Sequence, residues 1–315
     1  MERRRGRLAA LAIFAHDVYA PGLHIAFAAA WFLALDGALA VLSGQPVWRL
    51  TYLPVGVASY FLVLFYLRVL DEWKDLDYDR IHNPGRPLVR GRVSLHDLYW
   101  FLGTTAAAVI ALHIVFPGFS GRSLWPLAII TADLGYGVLL VGLERISKAV
   151  KESIFLNLLV TYPVNVALSV YSYAAYMGRT GSELRMKPIL LIAAFALAFL
   201  HYEFARKTAW SWQAKPGKRL YSSQLGERTA AMFTLLFAAA AVTIAAGLLA
   251  PVTSLGFAPL LAFVPALAGA WRFHMLRDVR VPVKPSAPMT PFAMAFLTVY
   301  YVTILAVAAT RGVML

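Results

Sequence analysis

The 315-residue chain has no cysteine. Disulfides, thiolate catalysis and cysteine-held zinc or iron–sulfur centres are therefore excluded. Charge is scarce too: 14% of residues are charged and 60% hydrophobic, too little polar surface to cover a water-soluble globule of this size. Acid is scarcer than base, with 16 Asp and Glu against 29 Lys and Arg and a net charge of +13. The sequence also lacks a Gly-rich phosphate loop, a serine nucleophile elbow and a His-Glu-x-x-His zinc pattern, which removes support from nucleotide-driven and hydrolytic functions. No linker rich in Pro, Gly or Ser divides the chain, so a single membrane domain over residues 1–315 is predicted.

What the chain does have is long apolar runs. A helix crossing about 30 Å of hydrocarbon needs about 20 mostly apolar residues. Nine segments qualify: Pro21 to Leu42, Leu50 to Leu70, Leu95 to Phe116, Leu124 to Leu143, Ile154 to Met177, Pro188 to Phe204, Ala230 to Leu249, Leu255 to Met275 and Met289 to Thr310. They are too long and too unalternating for barrel strands, and lipid demands that the backbone satisfy itself. The predicted fold is an all-α, polytopic membrane helical bundle of about nine transmembrane helices.

With the N-terminus placed inside, 23 of the 29 Lys and Arg residues flank spans on that side and 6 on the other. The positive-inside rule then puts the N-terminus and the two longest loops, Asp71 to Ser94 and Ala205 to Thr229, in the cytoplasm of what we expect to be a plasma-membrane protein. Basic residues in short loops between spans answer to the lipid bilayer and call for no nucleic acid. The start, Glu2-Arg3-Arg4-Arg5-Gly6-Arg7 followed by apolar Leu8 to Ala15, is similar to the front of a signal peptide. His16, Asp17 and Pro21 interrupt it without a small-residue cleavage site, so retention is expected.

Five of the 16 carboxylates fall within nine positions: Asp71, Glu72, Asp75, Asp77 and Asp79. If the helix continues through them, Asp71, Asp75 and Asp79 stand at i, i+4 and i+8 and line one face, drifting about 40° per step. Their mutual repulsion is relieved by a hard divalent cation. Magnesium suits one or two carboxylates completed by water and substrate phosphate oxygens. The competing reading is a solvated helix end paired locally with Lys74 and Arg80. Downstream, Asn83-Pro84-Gly85 and Arg86-Pro87 break the helix, a turn that can fold Arg86 back toward the carboxylates.

Asp71-x-x-x-Asp75-x-x-x-Asp79, a short spacer, Arg86-Pro87-Leu88 and Gly91-Arg92-Val93-Ser94 together resemble the first signature of the UbiA superfamily of intramembrane prenyltransferases. The family's usual Asn-Asp start is here Asp71-Glu72, and its next two aspartates match Asp75 and Asp79. The resemblance implies helices around a central cavity and Mg2+-assisted ionisation of an isoprenoid diphosphate. The isoprenoid would pass to a lipophilic acceptor, such as an aromatic one, delivered by the bilayer. It implies that Asp71, Asp75, Asp79 and Glu203 are catalytic and hold the metal, and that Arg86, Lys148, Lys151, Arg206 and Lys207 bind the diphosphate.

The family carries a second aspartate-rich motif after its sixth helix. Here the stretch reads His201-Tyr202-Glu203-Phe204-Ala205-Arg206-Lys207, and Glu203 is its sole carboxylate before Glu227. Arg206 and Lys207, with Lys215, Lys218 or Arg219, could neutralise diphosphate through charge-assisted hydrogen bonds, one metal plus cations replacing two metals. The same cations also satisfy the positive-inside rule by facing lipid headgroups. Tyr221 to Gly226 resembles the small-residue, Gly-ended stretch that follows the family's second motif. Arg145 to Ser153, with Asn157, is similar to its basic segment entering the fifth helix, which brings in Lys148 and Lys151.

Alternatives within the same residues are cyclisation of the isoprenoid by the same ionisation, a secondary transporter, and a noncatalytic binder of lipid diphosphates. Asp36 and Asp133 are costly in hydrocarbon unless they face protein or water, so both are cavity candidates. His24, His113, Trp31, Tyr171, Tyr173 and Tyr176 read as packing and aromatic-belt residues.

Overall fold

Each predicted apolar run forms helix in the computed structural model, which describes residues 6–45, 47–49, 52–121, 123–214, 219–277, 279, 287–310 and 313–314. The Glu2–Arg5 run, Lys215 and Lys218 lie outside these residues. Among the described residues, nine helical stretches are long and apolar enough to cross a membrane. They are α2 (Pro21–Ser43), α3 (Leu53–Lys74), α5 (Leu95–Val115), α6 (Trp125–Ile146), Ile154–Thr180, α10 (Met186–Arg206), α12 (Glu227–Leu249), Ser254–Met275 and α14 (Thr290–Ala309). Shorter helices are α1 (Arg7–Phe14), α4 (Leu76–His82), α7 (Lys148–Glu152) and α11 (Tyr221–Leu225). The protein is an integral membrane protein of helical architecture.

Two spans depart from a plain helix. The fifth is broken into α8 (Ile154–Thr161) and α9 (Pro163–Thr180), because Pro163 has no N–H to continue the ladder. The eighth begins as a 3-10 helix over Ser254–Ala262, with Pro259 inside it, before α13 (Phe263–Met275). A short parallel pairing of Val47–Arg49 with Val313–Met314 is the one extended feature among the described residues, and the sequence reading did not foresee it.

The chain forms two compact units built from interleaved segments. The first comprises residues 1–32, 50–151 and 160–182, the second residues 33–49, 152–159 and 183–315.

In the first unit, buried hydroxyls stitch helices together through backbone acceptors. Tyr60 on α3 donates to the Leu168 carbonyl of α9 at 2.9 Å and lies 2.8 Å from Ser172 Oγ. His113 Nε2 on α5 meets the Tyr171 hydroxyl at 2.9 Å. Such pairs satisfy polar groups that lipid would leave exposed. The sequence sets the start of α5: Ser94 caps it, its Oγ accepting from the Asp97 N–H at 3.2 Å while the Asp97 carboxylate accepts from the Ser94 N–H at 2.9 Å, a reciprocal capping box. The N-terminal segment packs onto these helices. Phe14 contacts Phe65 and Phe101, both at 5.6 Å between ring centroids. Arg7 bonds His96 at 2.9 Å and Asp17 pairs with Arg92 at 2.7 Å.

In the second unit α10 packs along α12, and both helices bury small residues, Ala194 and Ala198 on α10 and Ala230, Ala238, Ala241 and Ala245 on α12. Small side chains let the backbones approach, which is how helices gain contact energy where lipid offers no hydrophobic drive.

Candidate functional site

The helix does continue through the acidic stretch. Asp75 ends α3 and starts α4 with φ −86° and ψ 4°, yet the i to i−4 bonds run on. The Asp75 N–H reaches the Asp71 carbonyl at 2.9 Å, Asp79 reaches Asp75 at 2.8 Å, and Asn83 reaches Asp79 at 2.9 Å. Asp71, Asp75 and Asp79 therefore share one helical face in the first unit.

Cations answer the carboxylates unequally. Glu72 is 2% exposed and is held by Arg68 and, at 3.0 Å, by Arg86; a carboxylate this buried needs such pairing. Asp79, also buried, accepts from Asn83 Nδ2 at 2.7 Å and lies 3.8 Å from Arg86 Nε. Arg86 thus folds back onto the acidic face, as the Asn-Pro-Gly turn allows. Asp71 pairs with Lys74 at 3.5 Å, Lys74 also meets Glu144 of α6 at 3.5 Å, and Arg80 pairs with Asp77 at 3.0 Å. Asp75 is central on the face and solvent-exposed, and its carboxylate has no hydrogen bond or ion pair among the described residues.

Although open at its tip, Asp75 is crowded by protein. Desolvation is the main cause raising its pKa; Lys74 opposes it, and Asp71, Asp79 and Glu144 add to it. A raised pKa keeps the proton on to higher pH, so a cation held by Asp75 would be lost, as pH falls, above the ordinary aspartate range. Lys74→Met removes the opposing charge and should move this acid limb up by roughly half to one pH unit. The pH dependence of magnesium-induced Trp fluorescence would read the shift, and an unmoved limb would contradict it.

Two features here went unseen in the sequence. Glu144, 70 residues from Lys74, carries no local signal, and Arg145 beside it stacks on Trp73 at 4.5 Å from the ring centroid. These contacts anchor the end of α6, from which the exposed Lys148 and Lys151 follow, against the acidic helix. Second, a recess of about 490 Å³ opens beside Arg86, lined by His16, Asp17, Asn83, Gly85, Arg86 and Pro87. It joins the N-terminal segment to the site loop. The Asp17 carboxyl is held below the usual range, first by its hydrogen bond from His16 and then by Arg92.

The second loop belongs to the second unit. Glu203 on α10 is paired with Arg206, and with Lys207 Nζ at 2.7 Å. The start of the loop that follows is pinned to α11 by the Tyr221 N–H on the Lys207 carbonyl at 2.9 Å and the Ala209 N–H on Ser222 Oγ at 3.1 Å.

Residues 25–300 match the sequence pattern of the UbiA prenyltransferase family. The chain belongs to that family. No curated protein matches it in sequence. Among solved structures it is similar to a UbiA homologue from Aeropyrum pernix K1 in its apo form, at 16% identity and a TM-score of 0.61, over 89% of this chain and 96% of that one. It is also similar to a structure of digeranylgeranylglyceryl phosphate synthase, at 16% identity and TM-score 0.56, over 96% and 99%. A third is a UbiA homologue from Archaeoglobus fulgidus bound to GPP and Mg2+, at 17% identity and TM-score 0.51, over 90% and 96%. At these identities the likeness is one of fold.

Not every buried charge of this UbiA-family protein lies at the loops. Asp133 in α6 is 5% exposed and neither carboxyl oxygen has a hydrogen-bond partner among the described residues. Asp133→Leu should therefore raise thermal stability by about 1–3 kcal/mol, the desolvation cost recovered. A lower melting temperature in detergent would instead show that Asp133 holds a partner.

Proposed function

We propose that this protein transfers an isoprenoid group from its diphosphate to a lipophilic acceptor within the membrane, with Mg2+ assisting departure of the diphosphate. The observation that carries the reading is the continuous acidic face on which Asp75 stands open while Asp71, Glu72 and Asp79 are already matched by cations or amide donors. Among the described residues no three acidic or histidine side chains converge on one point. One open carboxylate with neighbours on the same face suits magnesium, which takes one or two carboxylates and completes its shell with water and phosphate oxygens. The Mg2+ and GPP held by the Archaeoglobus homologue support the same chemistry here.

Asp75, with one of its neighbours Asp71 or Asp79 on the same face, would hold the metal, which would supply charge neutralisation for the leaving diphosphate. Arg86 is pre-positioned by Glu72 and Asp79, so its remaining N–H groups need no reorganisation to meet phosphate oxygens. Lys148 and Lys151, exposed on the segment anchored beside the acidic helix, would add attraction for the anion. Apolar spans exclude water from the allylic cation. The distribution of Lys and Arg supports the cytoplasmic face as the side of this chemistry, and the plasma membrane is its proposed location.

The test is pyrophosphate release from a panel of allylic diphosphates by protein in lipid nanodiscs, with and without Mg2+, followed by product analysis. Release that needs both magnesium and an acceptor supports transfer; a cyclic hydrocarbon from the diphosphate alone would replace transfer by cyclisation. No release with any chain length or acceptor would overturn the enzymatic reading.

A further inference from the structure

Glu203 is the one carboxylate of the second motif, and its charge is met twice, by Arg206 and by Lys207. A divalent cation there would sit against two positive side chains. The trio carries a net charge of +1, which attracts an anion. Tyr221 closes the cluster from below. Its ring stacks on Phe204, with centroids 4.0 Å apart and planes 5° apart, and Lys207 Nζ lies 5.5 Å from its centroid. The Tyr221 side chain is fully buried, and its hydroxyl has no hydrogen-bond partner among the described residues. Burial, then the charge of Glu203, raises the phenol's pKa, so it stays a neutral donor. A buried donor left unpaired costs free energy, and the ring that carries it lies under Lys207, with Arg206 near enough for its charge to act on the phenol; the natural ligand of such cations has several acceptor oxygens.

Resting on the reading of this chain as a diphosphate-using enzyme, we propose that Arg206, Lys207 and Tyr221 form a metal-independent binding site for a phosphate or diphosphate group. The ligand's oxygens displace Glu203 from the two cations, and the Tyr221 hydroxyl donates to an oxygen once Lys207 swings onto the ligand. Glu203 is then a competitor that holds the site closed, and not a metal ligand.

The probe is inorganic pyrophosphate, titrated by calorimetry against the full chain in phosphatidylcholine nanodiscs containing EDTA. Wild type should bind. Lys207→Met should weaken binding by about tenfold or more, as loss of a charge-assisted bond requires. Tyr221→Phe should weaken it by about three- to tenfold while leaving the melting temperature of the ligand-free protein unchanged or raised. Glu203→Gln should tighten it severalfold, an effect opposite in sign to that of losing a metal ligand. A phospholipid headgroup offers the same oxygens; if that is the ligand, replacing phosphatidylcholine by phosphatidylglycerol should raise the melting temperature of wild type more than that of Lys207→Met, and pyrophosphate should bind only weakly.

Absence of both effects in EDTA, wild-type affinity in both Lys207→Met and Tyr221→Phe, or weaker binding in Glu203→Gln would each overturn the site. Failure of the proposed reaction appears as no turnover of allylic diphosphates, whereas failure of this site appears as no metal-free binding.

Discussion

If Asp75 holds magnesium as proposed, Asp75→Asn should reduce magnesium-dependent pyrophosphate release by roughly 10²- to 10³-fold, because losing one such carboxylate would remove about 3–4 kcal/mol of stabilisation from the departing diphosphate. The substitution keeps the side chain's shape and the i to i−4 bonds on either side, so the melting temperature should stay close to wild type. Asp77 gives the control. It lies two residues on, on another side of the helix, paired at the surface with Arg80, and Asp77→Asn should leave turnover within about twofold, as exposed pairs contribute little. Equal losses in both variants would mean that general negative charge, and not the face bearing Asp75, supports the reaction. An unchanged rate in Asp75→Asn would remove the open carboxylate from the chemistry.

The second large effect concerns stability. Gly178 near the end of α9 and Gly121 in the loop before α6 pack backbone against backbone. A Cβ on Gly178 would fall 2.2 Å from the Ser120 carbonyl oxygen, and one on Gly121 would fall 1.9 Å from the Gly178 carbonyl oxygen. Neither neighbour is a flexible side-chain tip that could swing aside. Gly121 also has φ +58°, which disfavours any side chain there. Arg179 seals the same junction, donating to the Phe119 carbonyl at 3.2 Å and lying 4.1 Å over the Tyr52 ring.

Gly178→Ala should therefore cost about 2–4 kcal/mol. That corresponds to a fall in melting temperature on the order of 5–10 °C. Gly118→Ala, on the same loop with open space around it, should change little. A Gly178→Ala protein that melts like wild type would show that the two segments can part at small cost.

The fold was legible because lipid enforces a length rule. All nine spans could be read from apolar runs, and their ends differ from the observed helices by a few residues. The break at Tyr162 and Pro163 was missed although proline was in view, since hydropathy alone runs straight through it. The register of Asp71, Asp75 and Asp79 was legible once the helix was assumed to continue. Whether it continued depended on Asp75 bending the chain without losing its ladder bond, which spacing cannot say. Partners distant in sequence were invisible. Nothing near Lys74 pointed to Glu144, nor near Asp17 to Arg92. The second loop read as a loss of aspartates, and only coordinates show that the surviving Glu203 is held by its own neighbours and that Tyr221 lies under Lys207.

The N-terminal segment carries a consequence for biogenesis. Phe14 rests on Phe65 and Phe101, Arg7 on His96, and Asp17 on Arg92, so its resting place does not exist until α5 has been made. At about 5–20 residues per second, a ribosome needs on the order of ten seconds to go from Phe14 to Phe101. For that interval the segment lacks its contacts with His96 and Phe101, although Phe65 and Arg92 are made before them. The order of synthesis thus ties docking of the N-terminal segment to insertion of α5, the third of the nine spans among the described residues.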